Sequence, residues 1–221
     1  MSGKFYGGLP QKVGAWDVDN SEFMLWLYLP VKLPFGEVAL PDNVNKFKGI
    51  LDIVKESLSC TENKWKESYI YLTIKSMVVS EDNVGQRLGW HSDGFMTKDL
   101  NYIWSDVEEI TTRITTGGMT LTQCHTKSLQ EMDNYKEFLL NCSYQVMADT
   151  VYLLDETVLH EAVRPTRPVF RNFVKVTVSD KLYKLEGNSV NHLLGDYLPE
   201  NLIKRNETRN CPQGIAEKYY V

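Results

Sequence analysis

Short β-prone runs separated by turn residues dominate the chain from residue 69 to residue 179. The runs are rich in β-branched and aromatic side chains, which is the composition of strands in half-buried sheets. They are 69–74 continued by 77–79, 87–93, 102–104, 119–125, 144–147, 151–154, 158–160 and 170–179. About eight short strands in succession are typical of an all-β sandwich or barrel. The pattern predicts a mainly β fold, and a double-stranded β-helix (a jelly-roll, cupin-like core) fits this number of strands.

An amphipathic helix is predicted over 43–59, on the N-terminal side of the β region. Its apolar residues recur at helical spacing after an N-cap at Asp42 or Asn43. They are Val44, Phe47, Ile50, Leu51, Val54 and Leu58. Such an apolar face is expected to pack on a sheet. The apolar run 23–29, ended by Pro30, predicts one further strand, and 129–141 a short helical or looped excursion.

The length of 221 residues favours a single domain. We predict an N-terminal strand and helix support over 1–66, a core with the functional site over 67–180, and a C-terminal flap with one short helix over 181–221. The hydrophobic content of 43% and charged content of 24% are those of an ordinary globular protein. The net charge of −5 gives no indication of a broad basic face, so it disfavours duplex nucleic acid as a partner without excluding it.

The four cysteines, Cys60, Cys124, Cys142 and Cys211, lie far apart and form no C-x-x-C pair. Residues 1–6 lead into no apolar stretch of the kind found in a signal peptide. These features predict reduced thiols and a cytoplasmic protein. The longest apolar runs are far shorter than the ~20 residues that a membrane span needs, so no membrane partner is expected.

The segment His91-Ser92-Asp93 places an imidazole and a carboxylate two residues apart. In an extended strand, residues i and i+2 point to the same face, so both groups can converge on one point. Two histidines and one carboxylate make the facial triad of non-haem iron(II) sites. His160, at the end of the run 158–160, is the predicted third ligand. Of the two other histidines, His125 is predicted to end a strand and His192 to lie in the flap, and neither is assigned a function.

The order His-x-Asp, a distant His, and an Arg that opens the next strand resembles that of the Fe(II)/2-oxoglutarate-dependent dioxygenase superfamily. The resemblance implies an Fe(II) ion held by His91, Asp93 and His160. It also implies that 2-oxoglutarate is the co-substrate, and that a substrate is hydroxylated with succinate and CO2 as co-products. Arg171 would pair with the far carboxylate of 2-oxoglutarate, and Tyr102 would supply a hydrogen bond to the same group.

Two features bear on the choice of Arg171. The family often has Ser or Thr two residues after this arginine, whereas this chain has Phe173. Alternation along 170–179 places Arg171, Phe173 and Lys175 on one face and a valine-rich set on the other. The valine-rich face is expected to pack against the helix 43–59, which turns Arg171 towards the barrel. A surface position for Arg171 is the alternative, with Arg164 or Arg167 of the preceding proline-containing turn as the co-substrate residue.

Three aromatic residues, Trp90, Phe95 and Trp104, flank the predicted metal ligands in the sequence or on the following strand. They could stack on a planar substrate or fill the core. The polar stretches 96–99 and 111–116 are predicted loops at the mouth of the site. The substrate is expected to be a small molecule, with nucleotides and amino-acid-like compounds included, and the sequence leaves the oligomeric state open.

Two other functions fit the same residues. A cupin-type metal enzyme would use the three ligands for hydrolytic or isomerase chemistry, because coordination alone does not fix a reaction type. A non-catalytic jelly-roll binding protein would keep the ligands without turnover. An intact set of three ligands favours an enzyme over the binding protein.

Overall fold

The computed structural model describes residues 3–61, 63–198 and 202–204. Its strands, numbered β1 to β11 in chain order, are Gly3–Tyr6, Gln11–Ala15, Met24–Lys32, Tyr69–Val79, Leu100–Ser105, Arg113–Thr115, Met119–Thr122, Ser143–Gln145, Thr150–Leu154, His160–Glu161 and Val169–Ser179. Its α-helices, α1 to α4, are Lys48–Ser57, Lys64–Glu67, His125–Asn134 and Lys136–Asn141, and 3-10 helices cover Asp42–Phe47, Glu108–Ile110 and His192–Leu194. Much of the predicted C-terminal flap, with Cys211, lies outside the described residues.

The largest sheet is antiparallel and has the strand order β2-β9-β5-β11-β4-β3. A smaller antiparallel sheet has the order β10-β6-β8, and β1 pairs with β7. Side chains from both main sheets meet in one apolar cluster, which contains Ile103, Ile114, Val146, Tyr152, Leu154, Val158 and Phe173. The two sheets therefore pack on each other, as in a sandwich. The fold is mainly β, as predicted, and is compatible with a jelly roll.

The predicted helix 43–59 consists of the 3-10 helix Asp42–Phe47 followed by α1. All six apolar residues of its predicted stripe are buried against the outer face of the large sheet. The valine-rich face of β11, formed by Val174, Val176 and Val178, lies in the same cluster. This confirms the predicted packing. It also means that the alternate residues of β11 point towards the smaller sheet.

One predicted strand is absent, and one predicted strand end is wrong. Residues 87–93 form no strand, and only an isolated bridge joins His91 to His160. The backbone turns at Gly89, whose φ of +79° interrupts an extended run. Strand β3 continues past Pro30 to Lys32, which is tolerated because β3 lies at the edge of its sheet.

Two other segments also differ from the prediction. The stretch 111–116 contains β6, the central strand of the smaller sheet, rather than only a polar loop. His125 begins α3 instead of ending a strand. The first error concerns a polar stretch that becomes a strand by pairing with residues distant in the chain, which local propensity does not report.

Cys60, Cys124 and Cys142 are free thiols. Over the ranges that the structure describes, no helix has both the length and the apolar composition required to cross a bilayer.

Candidate metal centre

His91, Asp93 and His160 each offer one ligand atom, and the three atoms lie within 4.8 Å of one another. A backbone bridge brings the two histidines together, because the N–H of each donates to the carbonyl of the other at 2.9 Å. The two ring centroids are 4.5 Å apart. Asp93 Oδ2 lies 3.9 Å from His160 Nε2. The structure therefore brings together the three ligands predicted from the sequence, although His91 lies in an isolated bridge and Asp93 in a turn, and neither in a strand.

The ring orientations of both histidines are fixed by backbone carbonyls. His91 Nδ1 lies 2.8 Å from the Gly89 carbonyl, and His160 Nδ1 lies 3.2 Å from the Val158 carbonyl. Since a carbonyl only accepts hydrogen bonds, Nδ1 of each ring carries the proton and Nε2 keeps its lone pair. This is the arrangement in which histidine ligates a metal through Nε2 while its other nitrogen is held by the surrounding protein.

The segment that carries His91 and Asp93 is also tied to the loop before His160. The Ser92 hydroxyl donates to the Glu156 carbonyl. Gly89 supplies the carbonyl that orients His91, and its positive φ strains any residue with a side chain even though no atom would block a Cβ there. The glycine is therefore required by backbone conformation and not by close packing.

Burial keeps the two imidazoles neutral. The pKa of His91 lies well below its ordinary value, because the ring is desolvated and lies beside His160 and Arg87. Burial also lowers the pKa of His160, although the Asp93 carboxylate opposes the shift. Burial alone would raise the pKa of Asp93, but the Lys175 ammonium, which also donates a hydrogen bond to it, holds it well below the usual range. The site thus presents two neutral imidazoles and one carboxylate, which is the protonation state that a divalent metal requires.

Lys175 is a residue of this site that the sequence did not identify as functional. Its Nζ donates to Asp93 Oδ2 at 2.9 Å and to the Tyr28 hydroxyl oxygen at 3.1 Å, and the residue is only 8% exposed. Burial would lower the pKa of Lys175, but the Asp93 carboxylate and the Tyr28 oxygen raise it above its ordinary value. Strand alternation had placed Lys175 on the same face as Arg171, and this was the sequence feature from which its position at the site could have been predicted. Tyr28 gave no signal in the sequence.

Arg171 lies on the same face of β11 as Lys175 and is 1% exposed. Its Nη2 donates to the Val84 carbonyl at 3.2 Å, and its Nη1 lies 3.5 Å from Gln86 Oε1. Its Nε is buried and has no hydrogen-bond partner among the described residues. Burial lowers its pKa to about 10, against the effect of Asp106. The guanidinium is therefore charged, buried and incompletely hydrogen-bonded.

The other two arginines of the same hairpin have a different environment. Arg164 and Arg167 are both exposed, and Arg164 donates to the carbonyl of Glu81. Phe173, which stands where the family often has Ser or Thr, joins the apolar cluster between the sheets and lies 5.7 Å from the Arg171 guanidinium. Of the three arginines considered, Arg171 is the one directed into the protein.

Tyr102 and Trp104 correct the sequence prediction, because the structure places both on the opposite face of the large sheet. They are buried against the helix side, in the cluster that contains α1. The Tyr102 and Ser57 hydroxyl oxygens are 3.0 Å apart, and Trp104 Nε1 donates to the Trp16 carbonyl at 2.9 Å. Their polar atoms are thus satisfied within the core. Neither residue is available to the metal ligands.

Trp90 and Phe95 flank the ligand segment and are each 6% exposed. Both belong to an apolar cluster beside the site. Phe95 stacks on Tyr6 at a centroid distance of 5.3 Å and also contacts the ring of His125. The structure therefore shows both aromatic residues in core packing next to the ligands, while 96–99 remain a loop.

We expect the metal-free protein to lose stability as the pH falls below about 6.5, the ordinary pKa of histidine. His91 and His160 have lowered pKa values in the folded state, so below this pH the unfolded chain binds more protons and is favoured. Each histidine contributes at most about 1.4 kcal/mol per pH unit, down to its folded-state pKa. The Asp93 contribution is unchanged in this window, because a carboxylate with a lowered pKa loses its effect only below about 4.

Denaturant unfolding of metal-free protein at pH 7.5, 6.5 and 5.5 measures this loss. His192→Gln, at an exposed position, should retain the pH slope, whereas His91→Gln should reduce it. A free energy of unfolding that stays constant from pH 7.5 to 5.5 would contradict neutral buried imidazoles.

Comparisons with known proteins assign this chain to no family. No protein-family model matches the chain, and no curated protein matches it in sequence. The solved structures that resemble it include the full-length Neurospora crassa thymine-7-hydroxylase in complex with alpha-KG, at 13% identity, with 67% of this chain and 51% of that one covered and a TM-score of 0.35. The chain thus spans about half the length of that protein. So distant a likeness carries no argument, and the residues of the site alone bear on the chemistry.

Proposed function

We propose that this protein is a non-haem Fe(II)- and 2-oxoglutarate-dependent oxygenase that hydroxylates a small molecule or a nucleotide. The carrying observation is the cluster of His91, Asp93 and His160, with one ligand atom from each residue gathered within 4.8 Å. Two imidazoles and one carboxylate are the donor set of iron(II) oxygenases. The proposal includes a jelly-roll core, in which the six-stranded and three-stranded sheets are the two packed sheets.

The donor atoms of the three residues fit an iron(II) ion. The carbonyls at Gly89 and Val158 hold the rings so that Nε2 faces the cluster, and no proton has to leave either imidazole before a metal binds. When bound, iron(II) together with 2-oxoglutarate supplies the oxidation of substrate by O2, with succinate and CO2 as co-products. The protein's contribution is to hold these groups and to keep water out.

Arg171 is the proposed anchor for the far carboxylate of 2-oxoglutarate. Its buried Nε lacks a partner among the described residues, so a carboxylate would satisfy an otherwise costly group. A guanidinium presents parallel N–H donors that match a carboxylate better than an ammonium does. Arg171 also shares its face of β11 with Lys175, whose ammonium contacts Asp93. The Arg171 guanidinium is thus on the side of the sheet that faces the metal ligands.

The apolar cluster beside the site is proposed to exclude water from the reaction. Trp90 and Phe95 are adjacent in sequence to the ligand segment, and their rings are buried with Tyr6, Leu121 and Leu159. This packing would close one side of the ligand cluster with large, mostly apolar side chains and leave little room there for water. Water exclusion is a general requirement of oxidising sites.

Anaerobic addition of Fe(II) and 2-oxoglutarate tests the proposal, because a keto acid chelated to iron(II) gives a visible absorption band. A screen of nucleotides, amino acids and cell-extract metabolites follows, with succinate measured by mass spectrometry. We expect slow succinate formation without substrate, and a joint rise of succinate, CO2 and hydroxylated product with the correct one. Absence of any 2-oxoglutarate binding would favour the cupin-type enzyme. Binding of 2-oxoglutarate without succinate in the presence of extract, reductant and O2 would favour the binding protein.

A further inference from the structure

Tyr28 has a strained backbone in the middle of an edge strand. Its φ is +49°, and the register of β3 against β4 shifts between Trp26 and Leu29. Trp26 and Leu29 both pack on the helix side of the sheet. The bulge between them turns the intervening Tyr28 side chain to the opposite face, which is the face of Lys175 and Asp93. A positive φ is unfavourable for tyrosine and, where the fold maintains it, is a pointer to function.

The rest of the structure holds this conformation in place. The Tyr28 N–H donates to Thr73 Oγ1 at 3.0 Å, in place of a regular strand pairing. The neighbouring Leu27 N–H donates to Ser189 Oγ at 2.9 Å, and the Ser189 N–H donates to the Leu27 carbonyl at 2.8 Å. The bulge therefore has dedicated hydrogen-bond partners from β4 and from the segment after β11. It is a fixed feature of the site.

The hydrogen bonds of Lys175 and Tyr28 leave one N–H of the ammonium and the O–H of the tyrosine without an acceptor among the described residues. An ammonium has three N–H donors, and the Lys175 group uses one for Asp93 Oδ2 and one for the Tyr28 oxygen. Because an ammonium only donates, the Tyr28 hydroxyl must accept from it and keeps its own hydrogen to donate. Among the described residues, neither this hydrogen nor the third ammonium N–H has an acceptor. The two donors lie side by side, next to a predicted metal ligand.

We propose that Tyr28 and Lys175 form a binding site for an anionic oxygen of the primary substrate. Two converging donors, one of them charged, match a carboxylate or a phosphate oxygen. A neutral apolar group in the same place would leave both donors without an acceptor. The Lys175 ammonium also lies 4.9 Å from the Tyr28 ring centroid, which limits its freedom to turn away. As a statement about the substrate, this inference rests on the proposed function and narrows it to acidic small molecules, nucleotides included. The donor pair itself is present whether or not iron binds.

Calorimetric titration of the metal-free protein tests the donor pair without iron or 2-oxoglutarate. Sodium acetate and inorganic phosphate are the two probes, and acetamide is the neutral counterpart of acetate. We expect at least one anion to bind and acetamide not to bind, and the tighter anion tells a carboxylate site from a phosphate site. Tyr28→Phe keeps the ring and removes the donor, and should weaken anion binding by about tenfold or more, since a hydrogen bond to a charged group is lost. Lys175→Met should abolish it, whereas Lys12→Met, at an exposed position of β2, should leave it unchanged.

Several results would overturn the assignment. Failure of the wild-type protein to bind either probe would overturn it. Wild-type affinity for the anions in both Tyr28→Phe and Lys175→Met would overturn it as well. Loss of anion binding in Arg171→Ala alone would place the anion at Arg171 instead. A weakening of 2-oxoglutarate binding in Tyr28→Phe, equal to its weakening of acetate binding, would assign the two donors to the co-substrate. Failure of succinate formation with intact, Tyr28-dependent anion binding would reject the oxygenase and leave the anion site standing.

Discussion

His160→Ala is expected to abolish stoichiometric Fe(II) binding. His160 supplies one of the three ligand atoms, and in the part of the chain that the structure describes no histidine besides His91 and His160 belongs to the cluster. Substitution of residues that only support a ligand lowers metal affinity by about 10–100-fold, so loss of a ligand itself should cost more. The measurement is anaerobic calorimetry with Fe(II), repeated with Mn(II).

The fold should tolerate this substitution. The bridge between His91 and His160 is made by backbone atoms, which alanine retains. His192→Ala, in an exposed 3-10 helix, is the matched control and should bind metal as the wild type does. Undiminished Fe(II) binding by folded His160→Ala protein would remove the three residues from consideration as a metal site.

Arg171→Ala is expected to weaken 2-oxoglutarate binding by about 2–4 kcal/mol, the cost of leaving a desolvated charge unpaired. This corresponds to a factor of roughly 30 to 1,000 in the dissociation constant, at about 1.4 kcal/mol per tenfold. Metal binding should survive, because Arg171 has no hydrogen bond to His91, Asp93 or His160. Equilibrium titration of the metal-loaded, oxygen-free protein with 2-oxoglutarate measures the effect.

Two further variants sharpen this result. Arg171→Lys keeps the charge and loses the planar fork, so it should recover only part of the affinity. Arg167→Ala removes an exposed arginine from the same hairpin and should bind 2-oxoglutarate normally. A larger loss in Arg167→Ala or Arg164→Ala than in Arg171→Ala would show that the co-substrate is anchored at the rim of the hairpin and not beneath it.

Several features could be predicted from the sequence because they depend on neighbouring residues. The helical spacing of Val44, Ile50 and Val54 identified the helix and its buried face, and both are present. The alternation along β11 correctly separated the valine-rich face from the face of Arg171 and Lys175. The spacing His-x-Asp placed two ligand types within reach of one point, and His160 followed as the partner. The helix and the two faces of β11 could be predicted because periodicity acts over a few residues, whereas His160 was chosen from the order of residues along the chain.

Other features were decided by pairing between distant segments. Both faces of β5 are buried, so alternation alone could not tell that Tyr102 and Trp104 face the helix while Ile103 faces the smaller sheet. Tyr28 reached the site only because a bulge shifted its register against β4, and a shift of one residue exchanges the two faces of a strand.

The choice among the three arginines also depended on tertiary structure. Arg164, Arg167 and Arg171 lie within one short stretch of sequence, and no local pattern fixes the depth to which each is buried. Only the loop that carries Val84 and Gln86 covers Arg171 and leaves the other two exposed. The sequence by itself thus determined which kinds of residue could form a metal site and on which elements they lie. The tertiary structure decided which side chains meet there, because burial and strand register are set by contacts between residues far apart in the chain.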